Sequence, residues 1–350
     1  MVELKSWVNY HKNNATIKLK ILEVNKMNYK KIVVSGGGIL GSQIAFQSAY
    51  CGYDVTILIR KEDSIEDVKE KLKKLHNTYV ETIELMSTKE GKNDNNWARG
   101  IAAKDNFKKE LCLENAKKAL ESIKIETEQG VALKDADLLV ESITENFDIK
   151  TSFYKQIAQL LPEKTVVVTN SSTLLPSKLA KYTGRPNRYL SLHFANSIWK
   201  NNIAEVMRHN DTDEKYFDEI VTFAKSINMI PLAARKEKSG YLLNSLLVPF
   251  LLSAMDLVAN GVSDPETIDA AWKLGTGAPR GPFEILDVVG LETARNIVLQ
   301  YQKVPDLFDP LLKKMMLPYN YDGMLRVLNK YIDEGKLGKS TKEGFYKYNN

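Results

Sequence analysis

The chain has 350 residues, of which 43% are hydrophobic, so it is long enough to bury a sizeable core and to form two domains. Its 49 basic and 44 acidic residues leave a net charge of +5 that is spread along the sequence. Because there is no long basic tail and no interleaving of aromatic and basic residues, the composition argues against a nucleic-acid partner. No run of about 18 apolar residues occurs, which argues against a membrane span.

Residues 1–28 carry scattered Lys and Asn without a continuous apolar run, which argues against a secretory signal. This N-terminal extension is either an upstream start before Met27 or a short strand-forming arm, and no function is assigned to it. Cys51 and Cys112 lie in helical-looking segments without metal-ligand spacing, so we expect buried thiols in a reducing compartment. A soluble, cytoplasmic protein without a metal site is predicted.

A strand, a tight turn and a helix follow one another between residues 31 and 50, and a β-branched run at 54–59 completes a βαβ unit. The turn has the spacing Gly-x-Gly-x-x-Gly. Gly36 permits the tight turn, Gly38 lets the backbone approach a pyrophosphate, and Gly41 allows close packing of the helix on the strand. The helix begins near Ile39, and with Leu40 it offers free N–H groups to the pyrophosphate. The sequence therefore predicts a dinucleotide site.

Arg60 stands at the end of the second strand, where an Asp or Glu normally accepts hydrogen bonds from the adenosine ribose. Arginine beside Lys61 can pair with a 2′-phosphate, which favours NADP, although Glu62 and Asp63 offset that charge. Otherwise Arg60 stacks on adenine or faces solvent. NAD and NADP both remain open as the cofactor.

Residues 64 to about 125 interrupt the alternation of strands and helices. Apolar residues recur there at helical spacing, which predicts a helical insertion of two helices joined by a turn near Gly91, the second ending near Ile123. Lysines on the first helix form either a solvated face or contacts to coenzyme phosphates.

Strands and helices alternate again beyond the insertion, and helical spacing alone follows residue 239. The predicted strands are 137–141, 165–169, 189–193, 203–207 and 228–232, the last an edge strand because of Pro231. A helix is predicted from about 150 to 161, and others at 240–261 and 265–274. The fold class is therefore α/β, a Rossmann-type doubly wound sheet with a helical insertion, followed by an all-helical C-terminal domain. We predict a dinucleotide-binding domain at 29–235 and a helical substrate and dimerisation domain at 236–350, with a linker near 233–239.

Further motifs are spread from Lys30 to Tyr348. Those in the first domain are Ala136-Asp-Leu-Leu-Val-Glu-Ser-Ile-Thr-Glu-Asn146, Thr169-Asn-Ser-Ser-Thr-Leu174, His193-Phe-Ala-Asn196 and Glu205. Those in the second are Gly240-Tyr-Leu-Leu-Asn244, Gly281-Pro-Phe-Glu-Ile-Leu-Asp287, Gly335-Lys-Leu-Gly338 and Gly344-Phe-Tyr346. Together with the glycine loop, they resemble the 3-hydroxyacyl-CoA dehydrogenases of the short-chain, 3-hydroxybutyryl-CoA type. The resemblance implies an NAD- or NADP-dependent enzyme of fatty acid metabolism that acts on an acyl-CoA.

Oxidation of a secondary alcohol needs a base that takes the hydroxyl proton while hydride leaves the same carbon. Histidine suits that role because its ordinary pKa lies near neutrality. His193 ends a predicted strand, where open α/β sheets bind ligands, but from the residues alone a histidine at a strand end is more often structural. The resemblance implies that His193 is the base and that Glu205 orients it and stabilises its protonated form. The other histidines are His11, His76 and His209.

The resemblance also assigns the remaining site residues. Ser172 is implied to hydrogen-bond the reacting oxygen, and Asn244 to help hold the substrate. Glu145 and Lys150 match positions near the ribose and nicotinamide half of the cofactor, and Asn196 matches one near the nicotinamide. Each of these last three residues could also be a surface or capping residue.

The chain departs from the family pattern around the acyl pocket at Ala195, Ser197 and Ser245, and in the segment Trp199-Lys-Asn-Asn202. These departures leave the substrate less defined than the chemistry. The alternatives are a dehydrogenase of a free hydroxy acid or sugar acid, of the gulonate dehydrogenase and lambda-crystallin type, and a non-catalytic dinucleotide-binding protein. An apolar run at 246–252 predicts either a homodimer interface, common in the family, or a helix central to a monomeric domain.

Overall fold

The structure, a computed structural model, describes residues 29–94, 96–302 and 319–348. It divides into two units, Met1–Tyr241 and Leu242–Asn350. Residues 235–241 belong to the first unit, and hydrogen bonds hold them to it. The backbone N–H of Ser177 donates to Glu237, and the Ser239 hydroxyl donates to the carbonyl of Thr173. The predicted extension, residues 1–28, lies outside the described residues.

An eight-stranded sheet forms the middle of the first unit. Its strands are β1 (Lys31–Ser35), β2 (Asp54–Leu58), β3 (Lys124–Glu126), β4 (Leu138–Glu141), β5 (Val166–Thr169), β6 (Tyr189–Phe194), β7 (Ile203–Met207) and β8 (Ile230–Ala234). The strand order is β3-β2-β1-β4-β5-β6-β7-β8. All neighbouring strands are parallel except β6 and β7, which are antiparallel.

Helices cover both faces of this sheet. They are α1 (Ile39–Tyr50), α2 (Ile65–Ser87), α3 (Lys109–Ser122), α4 (Gln129–Leu133), α5 (Phe147–Ile157), α6 (Pro176–Leu179) and α7 (Glu214–Ser226). Side chains alternate between the faces of a strand, so Ile32 and Val34 of β1 enter one core and Val33 enters the other. Burial on both faces explains why the central strands are continuous apolar runs.

The second unit is helical. Its helices are α8 (Leu243–Ala259), α9 (Pro265–Thr276), α10 (Pro282–Val289), α11 (Leu291–Gln302) and α12 (Tyr321–Asp333). Asp287, which is 1% exposed, fastens the C-terminal segment because its carboxylate accepts the backbone N–H groups of Phe345 and Tyr346 and the hydroxyl of Tyr348. Among residues 29–94, 96–302 and 319–348, no helix has the length and apolar character needed to cross a membrane.

The predicted α/β sheet followed by a helical domain is confirmed, and β8 with Pro231 lies at the sheet edge as expected. Two local predictions were wrong. Strand β3 was missed inside the expected helical insertion, since only three residues pair there, at the opposite edge. Helix α5 begins at Phe147 rather than near 150, because the Asn146 side chain caps it by accepting the N–H of Ile149 at 3.0 Å.

Candidate active site

His193 lies near the carboxyl end of β6, directly opposite Glu205 in the antiparallel pairing with β7. Its Nδ1 is 3.0 Å from Oε2 of Glu205, whose side chain is 2% exposed, and the imidazole is 11% exposed. A carboxylate only accepts hydrogen bonds, so the proton of the neutral imidazole is assigned to Nδ1. This leaves the lone pair on Nε2, the nitrogen that faces away from Glu205.

Ser172 reaches His193 from the loop that follows β5. Its Oγ is 3.0 Å from Nε2 of His193, and with the tautomer fixed by Glu205 the hydroxyl donates to that nitrogen. Parallel strands β5 and β6 place the ends of both strands at the same edge of the sheet. The structure therefore brings together three of the four predicted catalytic residues, Ser172, His193 and Glu205, in one hydrogen-bonded chain.

Glu145 fixes the loop that carries Ser172. Its Oε1 accepts the Ser171 hydroxyl at 2.6 Å and both the backbone N–H and the hydroxyl of Thr173 at 2.8 Å. Burial alone would raise the pKa of the Glu145 carboxyl, but these hydrogen bonds and the charge of Lys150 hold the pKa below its ordinary value. Glu145 is therefore an ionised carboxylate, and it binds the residues on both sides of Ser172.

Lys150 forms a buried ion pair with Glu141, which sequence reasoning did not single out. The Lys150 Nζ lies 2.5 Å from Oε1 of Glu141 and 3.5 Å from Oε2 of Glu145. The side chains of Lys150 and Glu141 are 1% and 0% exposed. Glu141 also accepts the hydroxyls of Tyr154 at 2.8 Å and Thr169 at 2.7 Å, so the buried carboxylate is fully bonded.

Tyr241 is a second residue that the sequence analysis did not identify. Its ring stacks on the imidazole of His193 with a centroid distance of 4.5 Å and an interplanar angle of 13°. Its hydroxyl donates to the carbonyl of Ser171 at 2.7 Å, and the residue is 1% exposed. Burial raises the pKa of the phenol above its ordinary value, so Tyr241 stays protonated at neutral pH. No sequence pattern predicts a contact between two residues as far apart in the chain as His193 and Tyr241.

The glycine loop has the shape expected of a pyrophosphate site. Gly36 has φ of +112°, and a Cβ there would lie 2.4 Å from the carbonyl oxygen of Ser142. A Cβ on Gly41 would lie 2.0 Å from the carbonyl oxygen of Gly36, so this position also requires glycine. No atom lies within 4 Å of a Cβ built on Gly38, where α1 begins, so its backbone is open to a ligand. Ile39 and Leu40 follow in the first turn, whose N–H groups are free of helical partners.

Arg60 is exposed, two residues beyond the end of β2. The lysines of α2 mostly face acidic residues one turn earlier, as in the 2.7 Å pair of Lys74 with Glu70. Lys71 is the exception, since its Nζ also lies 3.3 Å from the carbonyl oxygen of Gly37. The start of α2 is therefore beside the glycine loop, and most of its lysines form a solvated, ion-paired face.

Two further predicted site residues are Asn196 and Asn244. Asn196 is exposed in the turn after β6, where its carbonyl accepts the side-chain amide of Asn201 at 2.8 Å. Asn244 is half-buried in the first turn of α8, within the second unit. Their roles rest on the motifs.

Chemically, the cluster can move one proton. An alcohol whose hydroxyl lies at Nε2 of His193 would lose its proton to the imidazole as it is oxidised, and the carboxylate of Glu205 would stabilise the resulting imidazolium. The Ser172 hydroxyl can donate to an oxygen that gains negative charge. Such a site suits interconversion of an alcohol and a ketone next to a dinucleotide.

Comparison with known proteins gives matches over both units. The family model described as 3-hydroxyacyl-CoA dehydrogenase, NAD binding domain, matches residues 31–238, and the model described as 3-hydroxyacyl-CoA dehydrogenase, C-terminal domain, matches residues 240–348. The chain is 33% identical over 323 residues to a human protein named hydroxyacyl-coenzyme A dehydrogenase, mitochondrial, covering 92% of each. It is 30% identical to 3-hydroxybutyryl-CoA dehydrogenase of Clostridioides difficile, covering 91% of this chain and 99% of the relative.

Solved structures agree with these matches. A diketoreductase that acts on dicarbonyl compounds is 41% identical, with a TM-score of 0.76, and covers 91% of this chain and 99% of its own. An (S)-3-hydroxybutyryl-CoA dehydrogenase from Ralstonia eutropha has a TM-score of 0.68 at 22% identity, covering 92% and 100%, and that likeness shows the fold alone.

Proposed function

The chain belongs to the 3-hydroxyacyl-CoA dehydrogenase family, and we propose that it reversibly oxidises the 3-hydroxyl of a short-chain 3-hydroxyacyl-CoA to the 3-oxoacyl-CoA. The observation that carries this proposal is the placement of His193 between Glu205 at Nδ1 and Ser172 at Nε2. In that arrangement, His193 is placed to act as the base that takes the proton from a substrate hydroxyl. NAD is the cofactor of the family's N-terminal domain.

In this proposal, His193 takes the proton of the substrate hydroxyl at Nε2 and returns it in the reverse direction. Ser172 hydrogen-bonds the reacting oxygen, Glu205 holds the imidazole, and Asn244 helps to hold the substrate. The glycine loop and the first turn of α1 would bind the pyrophosphate, and Glu145, Lys150 and Asn196 would lie towards the nicotinamide half. The bound cofactor supplies the hydride acceptor or donor.

The direct test is reduction of acetoacetyl-CoA by the purified protein with NADH, measured by loss of nicotinamide absorbance, with free acetoacetate as the matched substrate lacking CoA. We expect turnover of the thioester and at least 100-fold lower kcat/KM for the free acid, since binding of the distant CoA group assists the reacting centre. Equal turnover of both would contradict the CoA requirement. Turnover of neither would favour a sugar acid substrate or a non-catalytic role.

A second candidate is reduction of a dicarbonyl compound without CoA. The 41% identity to the diketoreductase favours it, as do Ala195, Ser197 and Ser245, where the chain departs from the family pattern near the acyl pocket. The chemistry at His193 would be the same, because a 3-oxoacyl thioester is itself a ketone beside a second carbonyl group. A diketo ester assayed beside acetoacetyl-CoA separates the two candidates by kcat/KM.

Arg60 is predicted to let the enzyme accept NADPH beside NADH, since its exposed guanidinium can pair with a 2′-phosphate. Arg60→Ala should weaken NADPH binding about tenfold and leave NADH binding within about twofold, as measured by quenching of protein fluorescence. Exposed Arg99 provides the matched control, and Arg99→Ala should change neither affinity. Equal weakening of both affinities would mean that Arg60 stacks on adenine, and unaltered binding of both would mean that it faces solvent.

A homodimer through the second unit is also proposed. In the apolar run at 246–252, Leu251 and Leu252 enter the core of this unit, whereas Leu246 is 75% exposed. An apolar side chain so exposed on an apolar helix fits an interface between copies of the chain. We expect light scattering to give twice the mass of one chain, and Leu246→Glu to give a monomer. Val131→Glu, at a 60% exposed site in the first unit, is the control; a monomeric wild type would contradict the proposal.

We propose the cytoplasm as the location of the protein. The mammalian relatives are named as mitochondrial, so the two compartments are the outcomes to separate. Imaging of a C-terminal fluorescent fusion beside a mitochondrial stain distinguishes them.

A further inference from the structure

We propose that Tyr241 is a positioning residue for the proton transfer, which it serves by holding the His193 ring and the Ser172 loop in register. The inference rests on the proposed function of His193. It adds a residue that neither touches the reacting atoms nor belongs to the hydrogen-bonded chain of Ser172, His193 and Glu205. Two contacts of Tyr241, one from its ring and one from its hydroxyl, carry the argument.

The first contact fixes the plane of the imidazole. Glu205 and Ser172 lie 3.0 Å from the two ring nitrogens of His193. Hydrogen bonds at imidazole nitrogens are directed along the plane of the ring. They resist rotation in that plane better than displacement out of it. The Tyr241 ring lies 4.5 Å away and within 13° of parallel, so it supports one face of the imidazole. Displacement of the imidazole towards that face, which would misplace Nε2, is therefore blocked.

The second contact fixes the loop that carries the Ser172 hydroxyl, which is the hydrogen-bond donor to Nε2 of His193. The Tyr241 hydroxyl donates to the carbonyl of Ser171 at 2.7 Å, one peptide group before Ser172. Glu145 holds the same loop through the Ser171 hydroxyl at 2.6 Å. Because one side chain touches both the imidazole and the loop that supplies the Ser172 hydroxyl, it sets the distance between the two partners of the Nε2 hydrogen bond.

The backbone of Tyr241 indicates that this placement is held against a local cost. Its φ is +52°, in the left-handed region that favours glycine, and Gly240 before it has φ of +80°. A bulky residue keeps such a conformation only where its surroundings fix it. Here the surroundings are the His193 ring and the Ser171 carbonyl, and Tyr241 is the last residue of the first unit.

The kinetic test compares Tyr241→Leu, which removes both contacts, with Tyr241→Phe, which keeps the ring and removes the hydroxyl. We expect kcat to fall about 30-fold in Tyr241→Leu and about threefold in Tyr241→Phe, since small displacements of reacting groups cost up to about 10²-fold. KM for the substrate and for NADH should stay within about twofold. This split between kcat and KM, with partial rescue by phenylalanine, is not expected of a residue that only stabilises the fold.

Tyr50 offers a matched control. It is 4% exposed in the same unit, its hydroxyl donates to the backbone carbonyl of Ile101 at 3.3 Å, and its ring packs on Tyr79 at 5.4 Å. Tyr50→Leu should lower the thermal midpoint by a similar amount to Tyr241→Leu but keep kcat within about twofold per folded enzyme. A loss of kcat equal to that of Tyr241→Leu would assign both effects to stability and overturn the proposal.

An NMR measurement tests the same proposal without any substrate. In the full chain, labelled at the Cε1 position of histidine, the stacked ring of Tyr241 should move the His193 signal upfield of that of His76, which is half-buried in α2, with His193→Ala providing the assignment. Tyr241→Phe should keep the shift and Tyr241→Leu should lose it. If the leucine variant does not fold, the wild-type and phenylalanine spectra suffice, and a His193 signal at the His76 position in both overturns the proposal. Failure of the proposed function would abolish turnover in the wild type and leave these spectra unchanged.

Discussion

Replacement of His193 by alanine is expected to lower kcat for acetoacetyl-CoA reduction about 10³-fold. The imidazole is held at Nδ1 by Glu205 and presents Nε2 beside Ser172, so its removal takes away the proposed proton acceptor. The dissociation constant for NADH should stay within about twofold, because the glycine loop is distant in the sequence and intact. Steady-state kinetics and fluorescence titration measure the two quantities.

Two companion variants sharpen this prediction. His76→Ala removes a half-buried histidine of α2 and should leave kcat unchanged. Glu205→Gln should lower kcat by about 10² to 10⁴-fold, since the amide can donate to Nδ1 and so favour the tautomer whose Nε2 carries the proton. If His193→Ala kept a tenth or more of the wild-type kcat, the proposed base would be wrong.

The second large effect is expected on stability. Lys150→Met removes the cation that pairs with Glu141 at 2.5 Å and leaves a carboxylate that is 0% exposed without its charge partner. Breaking a buried pair on one side costs about 3–5 kcal/mol. For a unit of this size, we expect the thermal midpoint of the cofactor-free protein to fall by about 10 °C. Differential scanning calorimetry without cofactor separates this effect from any loss of NAD binding.

The double variant Glu141→Gln with Lys150→Met removes both charges and keeps an acceptor for the hydroxyls of Tyr154 and Thr169. It should recover about half of the lost midpoint. Exposed Lys155, on the same helix, is the matched control, and Lys155→Met should shift the midpoint by less than about 2 °C. A Lys150→Met protein as stable as the wild type would mean that Glu141 takes up a proton without cost.

The family and the fold class were predicted from the sequence, and the comparisons and the structure confirm both. This was possible because the signals are local. The βαβ unit depends on apolar periodicity within about 30 residues. Gly36 is required by its positive φ, and Gly41 by its contact with the carbonyl oxygen of Gly36 in the same turn. Strand β3 was missed because three residues are too few for a periodicity, and its pairing with β2 depends on a partner about 70 residues away.

The geometry of the site was decided by the tertiary structure. Motif matching named His193, Glu205 and Ser172, and their placement stays consistent with a proton-transfer role, but only the antiparallel register of β6 and β7 puts the carboxylate at Nδ1. The stacking of Tyr241 on His193 joins residues 48 positions apart in the sequence. Such contacts arise from strand order and from chain segments that return to the carboxyl edge of the sheet. Local sequence sets which side chains are available, and the long-range packing sets which of them meet.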